Sequence, residues 1–579
     1  MSDPHPIPSS RIGVVTRLQL EEVAAAMDAT LRQAAISASI GRHGSTAAGL
    51  YAPAGSLLLG GRASHPLLME AAAEALAFLM NGRVAAGPPF AHGELYGTND
   101  PGCDAAGLED LILASPILRE ERLLGFVALT ASHASLGRAT LAPVERLPRE
   151  GIVLPWTRLG SPGRLRGEVV DLLVANADNP ETFREDLAAH VHALHLGRTA
   201  IEDLLGRAGP EALVTLAEVA GASARRALAQ LFARLEASEI RGRAADLVVR
   251  ICLQGPPFPV RLEAPGGGGL DLTPSLARAA VRAGIREILS AEAPSLAILG
   301  GLDEALAIEI DLGSPIGPRP TGAARFVGSQ AALGAVLAAF AGTHSHLTHA
   351  ADAACLLMDL RGHRDDGSRY HARLGVPGGL GASVFSDGLT HSTPPFSPHR
   401  TLAVEEIERS LPLRIHRLQL APDSGGPGQY RGGLTAVLEV ELLKGQADAD
   451  VLIPGRAIGF QGGLRGADAR LLHITLRHGT REVRGPARIS IHLEAGDRLV
   501  LEGAGGGGWG IPFQRSIMRL EEDLQRSLIG PDQARNRYGL VLKEGTLDKD
   551  DYLTYRVRHY LLSMLTVEDI IAGEELIDS

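Results

Sequence analysis

Cysteine is scarce, with three in 579 residues. Cys103, Cys252 and Cys355 are spread too widely to suggest a disulfide framework or a thiolate zinc motif, so each is expected to pack as a small apolar group. A cationic excess is lacking too: 56 Lys plus Arg stand against 67 Asp plus Glu. Phosphate-backbone binding draws on a clustered basic surface, which argues against nucleic acid as a partner. No apolar run reaches the length of a membrane helix, and the start MSDPHPIPSSRIG lacks the charged and apolar segments of a signal peptide. A soluble, cytoplasmic protein with no membrane partner is the expectation. Four glycine-rich stretches occur, PGGGG at 265, GVPGGLGAS at 375, DSGGPGQYRGG at 423 and GAGGGGWG at 503. None has the strand and helix context of G-x-G-x-x-G or the Lys-Ser/Thr of a P-loop, so they read as turns. At Gly505 to Gly508 the run exceeds what a turn needs, and close approach of another backbone is expected there.

What is present is an apolar fraction of 45% and 69 glycines. That rules out a mainly disordered chain and implies several domains, or a large mixed multilayer α+β body, rich in tight turns. Residues 11–36 have helical apolar spacing, TAAGLYAPAGSLLLGG reads as two short strands, and PLLMEAAAEALAFLMN reads as a buried helix. Residues 110–137 read as a hairpin with a charged turn from Arg119 to Arg122. These make an N-terminal α+β domain over 1–179. Residues 180–243 read as a helical subdomain of three blocks broken at LGR, GRAGP and AGAS. A central α+β domain follows over 244–412, with a helix at 329–342, and then a strand-dominated sandwich or barrel over 413–513. The charged helical tail, 514–579, is expected to make subunit contacts.

Polar clusters supply the site candidates. YGTNDPGCDAAGLED, residues 96–110, sets a loop rich in Asn, Asp and Gly against a strand. His344, His346 and His349 are spaced like metal ligands near Asp352 and Cys355, and GLTHSTPPFSPHR adds two more histidines. Ser132 and His133 adjoin in a strand and would point to opposite faces, so they do not form a nucleophile with its base.

Taken in order, TNDP, GFVALTASHASLG, NPETFREDLAAHVHALHLGR, GSPIGPRPTGAARFVGSQ, LPLRIHRLQLAPDSGGPGQYRGG and GAGGGGWGIPFQR resemble the hydantoinase B/oxoprolinase family over roughly residues 11–545. DSGGPGQYRGG and GGGGWG are the most specific parts, and within them Asp423, Tyr430 and Arg431 look like scaffold. The family includes B subunits of ATP-dependent hydantoinases, the C-terminal half of 5-oxoprolinase and large subunits of acetone and acetophenone carboxylases. The resemblance implies a multi-subunit, ATP-dependent carboxylase (a ligase) or cyclic-amide hydrolase. Its hydantoinase A-type partner would be an actin-like ATPase, binding ATP and Mg, that phosphorylates a carbonyl or enol oxygen of a small-molecule substrate. A second B-type chain or a small subunit is a further candidate partner.

Family members commonly hold Mn or Zn through an Asp in RDFS, a His and an Asp in THLPD and the first His of AHH. Here Ser45 or a neighbour stands for the first Asp, Gly107 for the His in AGLED, and Ser132 for the His in ASH. Asp110 remains, and a one-residue shift would bring back His43 and His133. The resemblance therefore implies a degenerate metal site with no tightly bound ion, Asp110 and His133 being the residual metal and catalytic candidates and Asn99 and Asp100 candidate pocket residues. Two functions follow as expectations: a B-type subunit with an altered site, or a catalytically silent B-type paralogue serving as scaffold.

Overall fold

The computed structural model describes residues 11–83, 90–133, 136, 151–161, 164–235, 237–265, 272–313, 324–353, 355–364, 366–397, 403–452, 466–470, 473–478, 481–484, 488–544 and 546–564. The glycines after Pro265, residues 314–323 of the GSPIGP stretch, His399 and the tail beyond 564 lie outside the described residues. The architecture is mixed α+β, in two compact units: Met1–Ile240 with Val249–Leu333, and Arg241–Val248 with Gly334–Ser579.

The first unit is organised by a seven-stranded antiparallel sheet. Its strands are β1 (Thr46–Tyr51), β2 (Leu57–Gly60), β3 (Leu95–Thr98), β4 (Asp110–Arg119), β5 (Arg122–Ser132), β6 (Thr157–Ser161) and β7 (Arg164–Leu165), in the order β2-β1-β5-β4-β3-β6-β7. The β4–β5 hairpin closes through Glu120 and Glu121 at φ 48° and 67°, the pair of positive values that suits the twist of a two-residue hairpin. Strand alternation divides its side chains between two faces. Tyr51, Ile112, Ala114, Phe126 and Ala128 share one buried cluster with Ala72, Leu76 and Leu79 of the helix Pro66–Arg83. The helix Pro180–Ala208 packs on β4 and β5, and the helix Arg11–Ala34 on β1.

The polar side of the helix Pro66–Arg83 is satisfied internally. Glu70 is fully buried and bonded to Arg282 and Arg286 of the helix Pro274–Glu292. Burial alone would raise this carboxyl, but the two guanidiniums outweigh it and hold it below the usual range.

One expectation needs correction. Residues 180–232 form two helices, Pro180–Ala208 and Glu211–Phe232, interrupted only at Gly209-Pro210. The glycines in LGR and AGAS do not break them. A Cβ on Gly197 would lie 2.1 Å from Met27 Sδ, and one on Gly221 would lie 2.4 Å from Glu304 Oε2. Both glycines thus admit close neighbours to a continuous helix rather than ending it.

The second unit contains a β-sandwich. Its four-stranded sheet runs in the order Arg369–Val376, Leu356–His363, Gln446–Leu452, Arg488–Glu494. The five-stranded sheet runs Leu413–Leu420, Ala436–Leu442, Arg498–Glu502, His473–His478, Arg481–Arg484. Leu356, Met358, Leu360, Val451 and Leu493 of the first pack with Leu438, Val440, Ile474, Leu499 and Leu501 of the second. Beside it, glycine-rich segments cross. Gly506 N donates to Gly433 O and Gly426 N to Gly506 O, both at 2.9 Å, and a Cβ on Gly506 would meet Leu380 O at 2.0 Å. The close approach expected for Gly505 to Gly508 is present.

Helices Ile517–Gln525, Pro531–Tyr538 and Asp551–Ser563 follow. Arg515, 1% exposed, is bidentate to Asp387 at 2.6 and 2.8 Å and also donates to Asp523 at 2.7 Å. No helix among the described residues is long and apolar enough to cross a membrane.

Candidate functional site

The NDP loop is clamped by its own polar side chains. Asn99 is fully buried; its amide hydrogens go to Leu108 O at 2.7 Å and Ile152 O at 3.0 Å, while Leu154 N donates to its Oδ1 at 2.8 Å. Asp100 accepts from Gly102 N at 2.7 Å and so caps the short turn Pro101–Cys103. Cys103 is buried there and its thiol is raised by that burial.

The loop delivers Asp110 to the first position of β4. In the β4–β5 register Asp110 faces Ser132, and Ser132 N donates to Ser45 O at 3.0 Å, just before β1. Because cross-strand partners share a face, Ser45, Ser132 and Asp110 form a row across β1, β5 and β4, on the face that carries the helix Pro66–Arg83. Asp110 is 0% exposed, Ser45 1%, and the Ser132 hydroxyl donates to Asp110 Oδ1. Gly107 sits in the turn entering β4, its carbonyl accepting from Asp110 N at 2.9 Å. All four positions implied for a metal site are therefore at one end of one sheet.

Those residues do not fit a divalent cation. A buried carboxylate already bonded to Ser132, two neutral hydroxyls and a glycine supply too little charge and too few donors for Mn or Zn. Among the described residues no group of three or more His, Cys, Asp or Glu side chains is arranged to hold a metal ion. That includes His344, His346 and His349; the last donates through Nδ1 to Ala350 O at 2.8 Å.

His133 lies at the same end of the sheet, and its side chain leaves on the other face. Its backbone N–H donates to Glu109 O at 2.7 Å, whereas its ring contacts Phe183 and His190 of the helix Pro180–Ala208. The structure therefore brings Asp110 and His133 close along the chain but turns them to opposite sides. His133 Nε2 lies 3.1 Å from His190 Nδ1, and His190 Nε2 lies 2.9 Å from Leu129 O. The rings are inclined by only 24° with centroids 5.4 Å apart, which suits an edge-to-edge bond rather than face stacking. Burial pushes both imidazoles down to about 3, so both are neutral near neutral pH.

His190 was not among the residues singled out from sequence, although a signal existed. Phe183, Leu187, His190, Leu194 and Ile201 recur at helical spacing on the buried stripe, while His192 and His195 lie off it and are exposed. The family scaffold residues have structural duties. Asp423 accepts from Gly530 N at 2.7 Å, Tyr430 bridges Trp509, and Arg431 N donates to Asp387 at 2.7 Å.

Known proteins share both sequence and architecture with this chain. A family model described as hydantoinase B/oxoprolinase matches residues 14–512. The caprolactamase subunit beta of Pseudomonas jessenii is 25% identical over 535 residues, which cover 82% of this chain and 87% of that one. The crystal structure of the ATP-dependent caprolactamase from the same organism aligns with a TM-score of 0.82 at 21% identity, covering 96% of this chain and all of the other. A nucleotide-free acetone carboxylase structure aligns equally well, at 0.82, with 16% identity over 98% of this chain and 85% of that one. With a family match that takes in the sheet, the NDP loop and the glycine crossing, this chain belongs to the hydantoinase B/oxoprolinase family.

Proposed function

We propose that this chain is the B-type subunit of a multi-subunit ATP-dependent carboxylase or cyclic-amide hydrolase. It receives a small-molecule substrate that an actin-like A-type ATPase has phosphorylated on a carbonyl or enol oxygen. The observation that carries this reading is the extent of the family match, residues 14–512. The relatives' descriptions support it: one is a caprolactamase and ATP-dependent, and the other performs ATP-dependent acetone carboxylation. Transfer of phosphate to an amide or enol oxygen turns a poor leaving group into a good one, so this chain needs no phosphate loop of its own. The substrate is assigned to the end of the sheet where β1 and β4 start and β5 finishes. There Asp110 and His133 contribute from its two faces, and Asn99 and Asp100 fix the loop between them. Reconstitution with the A-type partner should give ATP-dependent turnover that is lost when this chain is left out; full turnover without it would sink the proposal.

A second reading has its own observation in favour. Ser45, Gly107 and Ser132 occupy the ligand positions without ligand chemistry, which is what a silent paralogue retained as scaffold would show. Replacing Asp110 and His133 together by alanine separates the two: a scaffold keeps the rate of the complex, and a substrate site loses it.

A further inference from the structure

The two buried imidazoles have a fixed polarity. A carbonyl only accepts, so His190 must carry its proton on Nε2 to reach Leu129 O. In a neutral ring Nδ1 is then the acceptor, and the hydrogen between the rings belongs to His133 Nε2. The reverse polarity would need a doubly protonated His190 that is 0% exposed, a costly arrangement. It follows that His133 Nδ1 carries a lone pair. This atom is buried and has no hydrogen-bond partner among the described residues.

We propose that His190 is a positioning residue that holds His133 as its Nε2–H tautomer. His133 Nδ1 is thereby presented as an acceptor for an N–H or O–H group of a small amide- or hydroxyl-bearing ligand. The inference rests on the reading that this end of the sheet takes substrate. Burial makes the imidazolium expensive, so the role of Nδ1 is to orient a donor rather than to store a proton.

Nitrogen-15 NMR of the full, histidine-labelled chain tests the relay, with His133→Gln used to assign the resonances. The expected spectrum has His133 with unprotonated Nδ1 and protonated Nε2. His190→Gln should keep it, because the amide oxygen accepts from His133 while the amide nitrogen donates to Leu129 O. His190→Leu should lose it. A protonated Nδ1 in the unaltered chain, or a tautomer indifferent to His190→Leu, overturns the relay. The first of these needs no variant, so a leucine chain that fails to fold does not shelter the proposal. In the reconstituted complex His190→Leu should lower kcat roughly 10- to 100-fold at little-changed KM, as loss of an orienting partner does. His190→Gln should restore most of that loss. If the tautomer follows His190 while kcat does not move, the acceptor role falls together with the substrate reading, and the relay alone stands.

Discussion

At the scale of single residues, the buried histidines couple proton binding to folding. His133 and His190 are held at about 3 in the fold and return to about 6.5 when the chain unfolds. Below that value the unfolded chain binds protons that the fold refuses. Stability is therefore undiminished above about pH 6.5 and falls as the pH drops toward 3, by roughly 1.4 kcal/mol per pH unit for each imidazole. Urea unfolding between pH 7.5 and 5 should show this decline, and His190→Gln should make it shallower by about half. The residues at issue were only partly legible. The hairpin could be drawn from sequence, as could the opposed directions of Ser132 and His133. The pairing of Asp110 with Ser132 could not: a bulge between Ile117 and Leu118 shifts by one residue the register that the two-residue turn alone would set. His190 lay in a helix whose buried stripe names it. What periodicity does not reveal is that the stripe meets β5 at the level of His133, because that depends on how helix and sheet are docked.

At the scale of elements, glycine shows why segment boundaries were harder to place than segments. Gly209 next to Pro210 does end a helix, whereas Gly197 and Gly221 lie within helices that approach a neighbour closely. A sequence displays the same letter in both settings, and only the opposing surface tells them apart. The tail offers a stronger case. Arg515 is almost wholly buried between Asp387 and Asp523. Burial would raise the Asp387 carboxyl, yet the paired guanidinium holds it below the usual carboxylate range. Removing the cation would leave two acidic groups in a site built around it, and breaking such a buried pair costs about 3–5 kcal/mol. Arg515→Leu should lower the urea midpoint of unfolding accordingly. Arg515→Lys should recover only part of the loss, since an ammonium cannot reproduce the bidentate bond.

At the scale of the whole molecule, family membership and a depleted ligand set coexist. The mixed α+β class, the helices and the strand-rich C-terminal region were legible because their periods are strong. The convergence of positions 45, 107, 110 and 132 was not, since it is created by pairing between strands distant in sequence. Purified from its own host, the chain is expected to bring an actin-like ATPase with it and to contain manganese and zinc far below one equivalent. Mass spectrometry and elemental analysis of one sample decide both points, and a stoichiometric ion resistant to chelator would contradict the account of the serine row.

The arginine anchor also bears on how the chain is made. Synthesis runs from the N-terminus, so the carboxylate of Asp387 leaves the ribosome long before Arg515, and the carbonyls of Phe513 and Arg515 wait still longer for Arg558. The family match stops at residue 512, short of both cations. A nascent chain of that length would carry the glycine-rich crossing and Asp387 without the guanidinium that pairs with that carboxylate. The Asp387 site is thus completed only after residues 515 and 558 have been translated, so the order of synthesis leaves this carboxylate unpaired while the glycine-rich crossing is already in place to form.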